Sequence, residues 1–96
     1  MKNLKVKLVN FSVARGNSRG ELNLHWDAIE NTVSYMIEIS MLNSAGNSKW
    51  QILDIISDSF YTVRNLKSNK SYTFRIASID EKGRKRVSDG KTKTAP

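Results

Sequence analysis

His25 is the one histidine of the sequence, and imidazole is the side chain whose ordinary pKa lies nearest neutrality, which makes it the first candidate for acid–base chemistry. It alternates with Leu22, Leu24 and Trp26, and shares its side of an extended segment with Glu21, Asn23 and Asp27. That alternation turns the imidazole to water. No serine or carboxylate stands at a spacing that builds a Ser-His-Asp arrangement around it, and no second ligand stands at a metal-binding spacing. Asp54, Asp58, Asp80 and Glu81 fall at turns or strand edges, without the apolar setting that raises a carboxyl pKa. There is no cysteine, which removes disulfides and thiolate metal sites together. The expectation is a protein that is not an enzyme and holds no metal or cofactor. A hydrolase or metal enzyme would need acids or a metal to converge near His25.

The other chemistry written in the sequence is cationic. The formal charge is +7. Residues 1–48 carry five Lys/Arg and four Asp/Glu, whereas residues 49–96 carry eleven and five. The excess collects in the last segment as Lys82, Arg84, Lys85, Arg86, Lys91 and Lys93. On a strand, Arg84 and Arg86 share one face and Lys85 takes the other. Such a band suits phosphates or an acidic protein face, and it also protects a sheet edge from pairing. No aromatic is interleaved with it, so base stacking is not indicated.

Three smaller signals are weighed beside it. Arg15-Gly16-Asn17 approximates the integrin-binding tripeptide but lacks its carboxylate. Asn10-Phe11-Ser12 and Asn69-Lys70-Ser71 fit the glycosylation pattern, as two matches in an Asn- and Ser-rich chain do by chance. Met36 and Met41 fall on or near the outer face of their strand, where soft thioethers suit a protein contact.

The elements that position these residues are strands. Leu4, Val6, Leu8, Phe11 and Val13 begin an alternating run, and Arg15–Gly20 turns the chain. Glu21–Asp27 is the clearest strand, with Trp26 as the largest core side chain. Ala28–Val33 connects it to a strand over Ser34–Met41, in which Tyr35, Ile37 and Ile39 face inward. A polar turn over 43–48 leads to a less regular strand with Trp50, Ile52, Ile55 and Ile56. Tyr61 and Val63 alternate towards Leu66, and a polar corner leads to Tyr72, Phe74 and Ile76. The corner suits a tyrosine whose ring enters the core while its hydroxyl bonds back to the corner backbone. Asp80–Gly83 turns the chain into a last basic strand from Arg84 to about Thr94. Val87 is its apolar anchor, and Asp89-Gly90 marks a bulge or break.

Seven strands at roughly 10-residue intervals, with no helical period, define an all-β antiparallel sandwich. Ninety-six residues form one domain, 1–96, which buries roughly 65% of its unfolded surface. No stretch reaches the roughly 20 apolar residues of a membrane span, and the first residues have no apolar signal core. As written the chain is soluble. Either it remains in the cell that makes it, or it travels by another route, or it is a trimmed piece.

The ordered set of residues resembles a fibronectin type III domain over nearly the full length. Trp26 stands late in the second strand, Tyr35 opens the third, and Leu66 precedes Tyr72 by six positions. Ser78, Asp80 and Gly83 follow, and Thr94-Ala95-Pro96 closes the chain. Ser68 stands where the family usually has proline, and prolines are missing near the start, which softens turns and leaves the topology intact. The resemblance implies strands A-B-E packed on C′-C-F-G, with Trp26, Tyr35 and Tyr72 in one dry interior. It implies a non-catalytic module that binds or spaces proteins in a larger assembly, of the cell-surface or virion decoration type. An extracellular, cell-surface or virion setting follows from the same resemblance. The alternative is a polyanion binder, of nucleic acid or anionic lipid, acting through the last strand.

Overall fold

Alternating apolar residues build two antiparallel sheets that close on each other. The structure, a computed structural model, describes residues 5–42 and 48–96, with residues 41, 42 and 48 described by their backbone alone. Leu4, the Met41 side chain and the turn over 43–47 therefore lie outside the described residues. The smaller sheet has three strands in the order β1-β2-β5: β1 (Ser12–Arg15), β2 (Leu22–His25) and β5 (Phe60–Val63). The larger has the order β4-β3-β6-β7: β4 (Ser48–Ile56), β3 (Thr32–Leu42), β6 (Ser71–Asp80) and β7 (Lys85–Val87). A further strand, β8 (Lys91–Thr94), also pairs with β6. None of the described residues is helical, so no helix is long and apolar enough to cross a membrane.

The core lies between the sheets. Leu22, Leu24 and Trp26 from one side meet Ile37, Phe74 and Ile76 from the other, all with essentially no exposed surface. Tyr35 and Tyr72 are buried with them, so the three aromatic anchors share one interior. Trp26 contacts Tyr35 edge to face at 5.3 Å between ring centroids and Phe11 at 6.5 Å. Its indole N–H has no hydrogen-bond partner among the described residues. Both tyrosines keep their polar tips occupied. The Tyr72 hydroxyl accepts the Lys67 N–H at 3.0 Å and fixes the corner as expected. The Tyr35 hydroxyl does the same for the Ile29 N–H at 2.8 Å, in the connector before its own strand.

Turn chemistry follows the asparagines. Asn10, Asn31, Asn65 and Asn69 all take positive φ, which asparagine tolerates better than most residues. Gly20 has no substitute: its φ is +73°, and a Cβ there would stand 2.3 Å from the Leu66 carbonyl oxygen. Its N–H donates to Pro96 O at 2.8 Å and its carbonyl accepts the Leu66 N–H at 3.0 Å.

The described residues form eight strands instead of seven, because the last one breaks. Ser88 is buried, and its hydroxyl accepts the Ile76 N–H at 2.9 Å, standing in for a backbone carbonyl of the ladder. Gly90 then passes close above β6, where a Cβ would lie 2.9 Å from the Thr73 methyl. Val87 proves only half-buried, and the fully buried anchor of this end is Ala95. The first strand also differs from the expected continuous run. Val6 donates to Val87 O at 3.0 Å on the larger sheet, and the chain joins the smaller sheet only at Ser12.

Candidate interaction surface

The outward positions of β3 and β6 carry charges, and the register brings them together. Glu38 lies opposite Arg75 on β6 and Ile52 on β4. Its side chain is only 5% exposed although it points away from the core. Two cations cover it. Arg75 Nε donates to Glu38 Oε1 at 2.6 Å, and Lys85 Nζ to Oε2 at 3.3 Å. The Arg75 guanidinium in turn lies 4.1 Å from the centroid of the Trp50 ring. Trp50, Arg75, Glu38 and Lys85 thus form one continuous layer across four strands. A buried carboxylate is tolerable there because both its oxygens are bonded to cations.

Apolar residues border this layer on the β4 side. A bulge between Ile37 and Glu38 leaves Leu53 as the extra residue of β4. It places Ile52 beside Glu38 and Ile55 beside Met36 on the outer face, each isoleucine 53% exposed. Leu53 packs on the core instead. Periodicity identified Met36 as an outer-face residue. It did not identify Glu38 and Arg75 as a pair, because the sequence carries no signal of register between strands almost forty residues apart.

The six cations of the last segment are divided by the fold. Lys85 is committed to Glu38. Arg84 Nε bonds Asp80 Oδ2 at 2.8 Å within the turn. The Arg84 N–H donates to the same carboxylate and is the chief reason Asp80 is held below the usual carboxylate range; desolvation, the next largest effect, opposes it, and the Arg84 side chain and the Lys82 N–H add to the lowering. Lys91 Nζ donates to Phe11 O at 2.6 Å and stands near that ring. Lys82, Arg86 and Lys93 have no ion-pair partner among the described residues. Lys85 does point away from the side taken by Arg84 and Arg86, which face a shallow groove with Ser78 and Glu30.

Other candidate sites stay apart. His25 is exposed, opposite Ser12 and Phe60 on the smaller sheet. Among the described residues no three His, Cys, Asp or Glu side chains gather as metal ligands. A groove of about 460 Å³ opens between the N-terminal segment and residues 88–91. On its rim Lys91 donates to Phe11 O, and Asp89 lies 3.8 Å from Lys5. Across the sandwich, Tyr61 has its pKa raised, first by burial and then by the Asp54 charge beside it.

Two antiparallel sheets, an interior tryptophan and a tyrosine-fixed corner define an immunoglobulin-like β-sandwich. The chain belongs to the fibronectin type III family, whose domain model matches residues 5–92. Solved structures agree in fold. A Fn3-like protein from Clostridium thermocellum superposes with a TM-score of 0.75 at 18% identity, covering 94% of this chain and 92% of that one. The sixth fibronectin type III domain of human fibronectin type III domain containing protein 3 gives 0.74 at 14% identity, covering 100% and 90%. The FN5 domain of Drosophila Lar gives 0.69 at 16% identity, covering 97% and 98%. No curated protein matches the sequence. Domains of this family are commonly non-catalytic binding or spacer modules.

Proposed function

We propose that the chain, as a single domain, is a non-catalytic protein-binding module of a larger assembly, of the kind that decorates a cell or virion surface. The contact face is the outer side of the larger sheet around Trp50. One observation carries this reading: Ile52 and Ile55 are each half exposed on a strand face, next to Trp50 and Met36 and beside a fixed ionic layer. An apolar anchor beside oriented charges is how protein contact surfaces combine affinity with register. The setting at a surface rests on fold-level analogy. The test is a photo-activated cross-linking residue placed in turn at Ile52, Ile55 and Asn23, in the organism that makes the protein. Adducts from positions 52 and 55, and none from 23, support the reading. Adducts from position 23 alone overturn it.

A second reading, polyanion binding through the last segment, draws on Lys82, Arg86 and Lys93, the three cations of that segment without an ion-pair partner among the described residues. With three phosphate contacts to duplex DNA, log K falls against log salt with a slope of about −2.7. An apolar protein contact barely responds to the same titration.

A further inference from the structure

We infer that the chain associates with a second copy of itself, edge to edge through β4, in antiparallel register with Gln51 on the two-fold axis. β4 ends the order of the larger sheet, and among the described residues β3 alone lies beside it. Nine residues of strand therefore run along this edge, and their outward backbone donors and acceptors face solvent except the Ile55 N–H, which donates to Asp54 Oδ1 at 2.7 Å.

The bulge decides what that edge can pair with. Lys49 and Asp54 are five positions apart, and in a regular strand they would point to opposite faces. With Leu53 set aside, Lys49 lies opposite Met41, Gln51 opposite Ile39 and Asp54 opposite Ile37, all on the inner side. Trp50, Ile52 and Ile55 lie opposite Ser40, Glu38 and Met36, all on the outer side. A two-fold axis at Gln51 then sets Lys49 of each copy across from Asp54 of the other. It also sets Trp50 across from the other copy's Ile52. Each pairing occurs twice, and Leu53 is the residue skipped in both strands. Opposite charges and aromatic–branched pairs are the combinations that stabilise neighbouring strands.

The distribution of charge favours this edge over the others. β4 carries one cation and one anion, whereas the opposite edge carries Lys85 and Arg86 on β7 with Lys91 and Lys93 on β8. Joining two β4 strands separates the two β7 strands by seven inter-strand steps, roughly 34 Å at about 4.8 Å each. That far exceeds the screening length of about 8 Å at physiological salt. β1 and β5, the edges of the smaller sheet, offer only four residues each. Edge pairing alone buries little area, so the dimer is weak, with a dissociation constant of roughly 10–1000 µM.

Self-association does not depend on the outer face taking a foreign protein. Positions 49 and 54 lie on the inner side, so their substitution tests the dimer without touching positions 52 and 55. The experiment is sedimentation equilibrium of the whole chain over a concentration series, with circular dichroism to confirm folding. Wild type should show a monomer–dimer equilibrium. Lys49→Glu alone and Asp54→Lys alone each place like charges in register twice, and each should weaken the dimer by about ten-fold or more. Mixed in equal amounts, the two variants face each other with opposite charges at both places and should regain wild-type association. A wild type still monomeric at about 1 mM overturns the inference. So does association insensitive to both charge reversals, or a mixture that stays monomeric.

Discussion

Trp26 and Trp50 occupy two unlike environments of one small sandwich. Trp26 is fully enclosed between the sheets, and neighbouring aromatic rings meet it edge to face. Trp50 lies on the outer face, half covered, beneath the Arg75 guanidinium. Inside, order comes from dense packing, and one side chain can be replaced only at the cost of a cavity. Outside, order comes from a carboxylate held by two cations and an aromatic ring. Such a layer can be exchanged at less cost to the fold than an enclosed ring.

The widest separation between the two environments should come from Trp26→Ala, with a loss of about 3–5 kcal/mol in urea unfolding monitored by circular dichroism. A loss as small as that of a surface residue would erase the contrast. Glu38→Gln should come next, at about 1–3 kcal/mol by the same measurement, because a neutral amide leaves Arg75 and Lys85 without their counter-charge. Both cations keep some access to water, which holds the cost below that of a fully buried pair. Trp50→Ala should cost roughly 0.5–2 kcal/mol, the range for a stacked guanidinium, and a cost equal to that of Trp26→Ala would show that the outer face is core after all. The smallest effect is electrostatic. The folded pKa of Asp80 is lowered, so its contribution is present above about pH 4 and fades as pH falls through the folded value. Asp80→Asn should therefore differ from wild type in urea midpoint at pH 7 and converge with it in acid.

The sandwich was legible because its interior follows a period of two. Leu22, Leu24 and Trp26, and Tyr72, Phe74 and Ile76, alternate with polar neighbours, and each was correctly turned inward. The corner was legible for a chemical reason, since a tyrosine after a polar turn has one economical place for its hydroxyl. What escaped depended on register. Glu38 reads as a solvent-facing residue, and only the pairing of β3 with β6 reveals Arg75 across from it. The bulge at Leu53 was hidden too, because Ile52, Leu53, Ile55 and Ile56 are all apolar and their spacing does not say which one is set aside. In the basic segment composition was visible, but Asp80, Glu38 and Phe11 O, which hold three of its six cations, come from three different places in the chain.

Gly20, Leu66, Asn69 and Ala95 draw three remote stretches of chain together through main-chain bonds. Such a closure cannot assemble until both sheets have formed, and contacts between remote stretches are what slow the folding of β proteins. It also cannot loosen by itself, because each segment is anchored in a different sheet or corner. The amide hydrogens of Gly20 and Ala95 should therefore exchange with solvent deuterium as slowly as those of the central strands, although both belong to connecting segments.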